Sequence, residues 1–127
     1  MSKESDELKQ RTERFAVGVI KFCETLPPTM AGRKIGGQLL DAATSVAANY
    51  RAACRAFTRP LFISKIAIVG EEADESEFWL TLIVKAGLSP AQTAAGLIQE
   101  AGELTAIFTA SLRTARSRPR VPKQKSV

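Results

Sequence analysis

Residues 89–112 read SPAQTAAGLIQEAGELTAIFTASL. Ser89-Pro90-Ala91-Gln92 is a capping box with proline at the first helical position, a strong signature of a helix start. Behind it Ala94, Leu97, Ala101, Leu104, Phe108 and Leu112 recur at steps of three and four, the spacing of a bundle seam. This predicts a helix over 90–116. Just before it, Gly87 is a natural stop for a third helix over 60–86, with Thr58 as cap and the line Phe62, Ile66, Val69, Ala73, Ser76, Leu80, Ile83. A second helix spans 30–56 along Ile35, Leu39, Ala42, Val46, Asn49 and Ala53; Gly36-Gly37 weakens its early turns by about 1 kcal/mol per glycine. The first spans 5–26 along Leu8, Thr12, Phe15, Val19, Phe22 and Leu26, and Pro27-Pro28 ends it. Four long helices with short connections predict an all-α, up-down-up-down antiparallel four-helix bundle over 1–116.

Composition narrows the chemistry. The 127 residues contain no histidine, which removes the commonest general base and metal ligand together. Two cysteines, Cys23 and Cys54, are too few for a disulfide framework or a four-ligand zinc site. Their levels on neighbouring helices differ by some 30 Å at helical rise, so both are expected as reduced packing residues. No apolar run is long enough to span a membrane, and the polar N-terminus does not read as a signal peptide. The expectation is a cytoplasmic protein without cofactor or metal.

Charge is banded along the chain. From Arg113 onward stand Arg113, Arg116, Arg118, Arg120, Lys123 and Lys125 with no acid, although the whole chain carries only +5. Residues 117–127, which include Pro119 and Pro122, are expected as a disordered basic tail. Between residues 33 and 65, Arg33, Lys34, Arg51, Arg55, Arg59 and Lys65 face one acid, Asp41, and the cluster Glu71, Glu72, Asp74, Glu75, Glu77 follows. Pairing about a loop near Thr58 places Arg51, Arg55, Arg59 and Lys65 at one bundle end. Arginine forks there suit phosphate oxygens without reading sequence. The tail suits the same ligand through salt-dependent contacts, and it lacks aromatics for base stacking. Glu71 and Glu75 share a helix face, but no Glu-x-x-His motif and no acid on other core lines accompany them. The acids are expected instead to form ion pairs, within or between subunits, with Arg11 and Arg14 at a similar bundle level. Asn49 and Ser76 fall on core lines, as polar residues that set register or fill small spaces.

Two helices carry more apolar or small surface than one bundle can bury. The second has alanine or serine on every side (Ala42, Ala43, Ser45, Ala47, Ala48, Ala52, Ala53, Ala56). The third has Ile63, Ile68, Phe78, Trp79 and Leu82 off its core line. A helix apolar most of the way round is buried most of the way round, which predicts a homo-oligomer.

The run from Gln38-Leu39 through Ala42, Ser45-Val46 and Ala48-Asn49-Tyr50-Arg51 resembles the Q-L-x-x-A-x-x-S-[IV]-x-A-N signature of the "four helix bundle protein" family. This is also called the 23S rRNA intervening-sequence protein family, since some members are encoded in insertions within bacterial large-subunit rRNA genes. The resemblance continues through Cys54-Arg55-Ala56, Phe62-Ile63-Ser64-Lys65, Glu72-Ala73-Asp74-Glu75 and Phe78-Trp79-Leu80, covering about residues 10–112. It implies a bacterial protein assembled as a ring, typically a homopentamer. It also implies kinship in fold with the accessory protein of diversity-generating retroelements, which binds nucleic acid and a reverse transcriptase. Many relatives carry glutamate after the Tyr-Arg pair; here Ala52 removes any ion pair built on it.

The combined expectation is a non-enzymatic oligomeric scaffold that binds RNA or DNA backbone as an accessory protein. The other reading is a protein-interaction scaffold whose acidic and apolar faces meet a protein partner.

Overall fold

A computed structural model describes residues 2–117. Four helices make up the described chain, and no strand occurs among those residues: α1 (Lys3–Cys23), α2 (Met30–Cys54), α3 (Arg59–Lys85) and α4 (Ala91–Ser117). The starts of the first three are capped in the same way. Ser2, Thr29 and Thr58 adopt extended backbone, and each hydroxyl accepts from the N–H three residues on, satisfying donors that the first turn leaves unpaired. Gly87 takes a left-handed conformation (φ 73°) that allows α3 to stop.

Two ends fall short of expectation. α1 stops at Cys23 rather than at residue 26, because Pro27 disfavours helical backbone at Leu26. The Thr25 and Leu26 amides then close tight turns onto the Phe22 and Cys23 carbonyls. α2 stops at Cys54 rather than 56, and the Arg55 and Ala56 amides reach back only three residues.

The helices form a square. α2 packs extensively on α3 and α3 on α4, α1 packs less on α2, and α1 meets α4 only sparsely; the diagonal backbones do not approach. Neighbours run antiparallel: Gly70 faces Phe108 and Glu77 faces Gly102 between α3 and α4, while Arg11 reaches Glu100 and Gly18 meets Leu97 between α1 and α4. One core fills the centre, built from Phe15, Val19 and Phe22 (α1), Leu39, Val46 and Tyr50 (α2), Ile66, Val69, Leu80 and Ile83 (α3), and Ala101, Leu104 and Phe108 (α4).

Of the two polar residues assigned to core lines, Ser76 is fully buried, its hydroxyl bonded to the Glu72 carbonyl of its own helix. Asn49 is not in the core. It is half-buried, and its amide donates to the carbonyl and hydroxyl of Ser45. Tyr50 takes the core place instead, its ring 5.2 Å from that of Phe108. The two positions are one helical step apart, and the aromatic ring gains from burial what the amide would lose.

Candidate nucleic-acid interface

An up-down bundle sends alternate helix ends to the same side, so the start of α1, the end of α2, the start of α3 and the end of α4 share one pole. Contacts confirm this. The Arg59 guanidinium donates to the Ala115 carbonyl, and Tyr50 lies near Ser5, Asp6 and Cys54. Arg59 thus joins the start of α3 to the last turn of α4, where carbonyls lack helical partners and the helix dipole is negative.

Within about two turns of this pole stand Lys3, Lys9, Arg51, Arg55, Arg59, Lys65, Arg113 and Arg116, against the three acids Glu4, Asp6 and Glu7. Arg51, Arg55, Arg113 and Arg116 are exposed, whereas Arg59 and Lys65 are half-buried. An open groove of about 460 Å³ lies beside them, lined by Thr109, Leu112, Arg113, Arg116 and Ser117. The sequence reading treated Arg51, Arg55, Arg59 and Lys65 as one patch and the residues from Arg113 as another. The fold brings the two together as far as Arg116; Arg118, Arg120, Lys123 and Lys125, with the expected disordered tail, lie outside the described residues. Lys3 and Lys9 were not singled out from sequence, yet counting helix ends in an up-down bundle is enough to place them here.

The middle of the bundle is acidic. Glu13, Asp41, Glu71, Glu72, Asp74, Glu75, Glu77, Glu100 and Glu103 outnumber Arg11 and Arg14. Burial, then the neighbouring Glu75, Glu71 and Asp41, raise the Glu72 carboxyl above its ordinary value. Within one chain Arg11 does not pair with this cluster. Arg11 crosses to α4 and bonds Glu100 at 2.7 Å and Glu103 at 2.9 Å. Its hydrogen bond to Glu100, before any other cause, holds the guanidinium still more firmly protonated. On the other side, a hydrogen bond from Gln99 and then one from Arg11 lower the Glu103 carboxyl. Glu100 and Glu103 sit three residues apart on the face that meets α1, closer to Arg11 than α3 is across the diagonal. Among the described residues no group of three or more His, Cys, Asp or Glu side chains is arranged to hold a metal. Nor, among them, is any helix long and apolar enough to cross a membrane.

Two neutral acids mark the ends of α1 and α2. Burial, then Glu24, pushes the Cys23 thiol from 9.0 to about 11, and it donates to the Gly36 carbonyl at 3.5 Å. Burial, then the nearby Cys54, raises Tyr50 from 10.0 to about 12. Both groups keep their protons in the fold at pH values where the unfolded chain has lost them. Stability contributed by these two groups is therefore full below pH 9 and falls as pH rises from 9 to 12. Urea midpoints measured across that range are expected to decline, and Tyr50→Phe to flatten the upper part of the decline.

The geometry defines a class: an antiparallel four-helix bundle with a basic pole and an acidic waist. The chain belongs to the 23S rRNA-intervening sequence protein family, whose model matches residues 4–110. A similar fold occurs in the crystal structure of a protein of unknown function of the S23 ribosomal protein family from Bacteroides thetaiotaomicron. The two are 24% identical with a TM-score of 0.74 over 84% of this chain and 98% of that one. No curated protein matches this chain.

Proposed function

We propose that this protein is a non-enzymatic, self-assembling helical scaffold that binds the phosphate backbone of RNA or DNA through its basic pole. The observation that carries the reading is the convergence of Arg51, Arg55, Arg113 and Arg116, all exposed, on the end where Arg59 ties α3 to α4. The chain continues from Ser117 into four more basic residues within ten positions. Such a surface neutralises phosphates without recognising bases, so its affinity is set by counterion release. Family membership is compatible with this reading, since the family takes its name from an insertion in an rRNA gene.

Binding of the full chain to generic RNA and duplex DNA across a salt series tests it. With six or more phosphates neutralised, affinity is expected to fall by roughly three orders of magnitude between 50 and 200 mM salt. Replacing Arg51, Arg55, Arg113 and Arg116 together by glutamine is expected to flatten that dependence. Absence of binding at low salt overturns the proposal.

A further inference from the structure

We infer that the basic pole holds single-stranded nucleic acid, with the Phe57 ring as the platform on which an unpaired base stacks. The inference deepens the nucleic-acid reading proposed above and rests on it. The arginines account for phosphate binding, and Phe57 adds a choice between paired and unpaired strands.

Three observations lead to it. The first is the exposure of the ring. Phe57 is 98% exposed, the most of any large apolar residue in the described chain. Its place in the loop offers a packing partner that it does not use. Thr58 caps α3, so Phe57 stands one residue before the cap, where an apolar side chain often folds back onto the fourth residue of the helix. That residue is Phe62, which packs against the core. A ring this exposed makes no such staple, so it contributes nothing to holding its own chain together.

The second is the firmness of the mount. On one side of Phe57 the Arg55 and Ala56 amides bond back to the Ala52 and Ala53 carbonyls. On the other, the Thr58 hydroxyl accepts from the Leu61 amide and the Thr58 carbonyl from the Phe62 amide. Arg59 is fastened in turn to Ala115. A turn anchored at both ends presents its ring at little ordering cost when a ligand arrives.

The third is the charge around the ring. Arg55 and Arg59 stand two residues to either side, their Cα atoms within about 7 Å of that of Phe57. Arg51 lies one turn before Arg55, and no acid occurs between Asp41 and Glu71. The acids of this pole, Glu4, Asp6 and Glu7, belong to α1, which does not touch α3. Beyond Arg59 the basic path continues into the groove beside Arg113 and Arg116, because Ala115 lies between those two arginines. Sites for single strands combine such a basic track for the backbone with aromatic faces for the bases, and stacking accepts any base because each has a π face. In a duplex the base faces are covered by their neighbours. Phe57 then has nothing to stack on, and only the arginines act.

The test uses the full chain with three probes at one low salt concentration: an oligouridylate, an oligothymidylate and a blunt duplex of the same length. Wild type is expected to bind both single strands more tightly than the duplex. Phe57→Ala is expected to lose about 5- to 100-fold in single-strand affinity, the loss typical of one stacked base, and to keep its duplex affinity. Phe57→Leu, apolar but without a π face, should lose nearly as much, and Phe57→Tyr should not. Phe57→Trp gives a direct signal: its fluorescence is expected to be quenched by the single strands and not by the duplex. Trp79 lies about 30 Å further along α3, so wild-type fluorescence is expected to stay unchanged. Without nucleic acid, helicity by circular dichroism and mass by light scattering are expected to match wild type in every Phe57 variant. Wild-type single-strand affinity in Phe57→Ala, or an equal loss on the duplex, overturns base stacking and leaves the phosphate reading standing. A changed mass in Phe57→Ala also overturns it and assigns the ring to a protein contact. Failure of wild type to bind any of the three probes overturns the phosphate reading itself, and this inference with it.

Discussion

Replacing Phe108 by alanine is expected to destabilise the fold by about 3–5 kcal/mol, a large share of the roughly 5–15 kcal/mol that holds a domain of this size together. Phe108 is 1% exposed and is the largest fully buried side chain of the described core. Its ring reaches across the diagonal to Tyr50 on α2, tilted by 50° at 5.2 Å between centroids. Its Cβ lies close to Gly70 on α3, near enough that a Cβ there would be in ordinary contact at 3.7 Å. One side chain thus joins three helices at the basic end of the core. Alanine removes the ring, the aromatic pair and the filler between α2 and α3, leaving a cavity inside a fully buried core. At a urea dependence of about 2 kcal/mol per molar, the unfolding midpoint is expected to drop by on the order of 2 M at fixed protein concentration. Phe108→Leu, which keeps most of the volume, is expected to lose less than half as much.

The second large effect has opposite signs at two glycines of one helix. Gly32 lies in the first turn of α2 beneath the loop that Pro27 and Pro28 form. A Cβ built on Gly32 would stand 2.1 Å from the Pro27 carbonyl oxygen and 3.2 Å from the capping hydroxyl of Thr29. That hydroxyl accepts from the Gly32 amide, so the loop, the cap and the first turn interlock. Backbone must move to admit a methyl group, and Gly32→Ala is expected to cost about 1–3 kcal/mol or more despite alanine's better helix propensity. A Cβ on Gly37 meets nothing within 4 Å. Gly37→Ala is therefore expected to stabilise by up to about 1 kcal/mol. Thermal melts of the two variants beside wild type should move in opposite directions. Equal shifts would mean that the Pro27 loop is free to move.

The architecture was legible because its signals are local. Pro27-Pro28 and the Thr58 cap each act within a turn of where they stand, and the apolar seams repeat too regularly to suit strands. α4 starts beside Pro90 as expected, but at Ala91, and the Ser89 hydroxyl donates to the Pro90 carbonyl instead of closing a capping box. What escaped depends on neighbours distant in sequence. Asn49 and Tyr50 are both admissible on a seam whose steps alternate between three and four, and only the space beside Phe108 decides for Tyr50. Arg11 has acids in reach of its level on two helices, and only the square arrangement, with α3 across the diagonal, assigns it to Glu100 and Glu103. The two early glycines looked like weak helix formers, while Gly32, the one that the α1–α2 connection requires, carries no local mark. The basic residues were visible by composition, but their union needed the parity of helix ends. Arg59 is a further case: among the basic residues of the candidate set it was grouped by charge, and its contact with Ala115 shows that it also finishes α4.

The sparse seam between α1 and α4 divides the bundle unequally. α2, α3 and α4 share long, continuous contacts, whereas α1 leans mainly on α2 and is fastened to α4 by Arg11 and by the close approach of Gly18 to Leu97. Amide protons of α1 then have the shortest path to solvent, through a partial opening that leaves the other three helices intact. Hydrogen exchange is expected to show the α1 amides exchanging first, with α2, α3 and α4 protected together; uniform protection across all four helices would overturn this division.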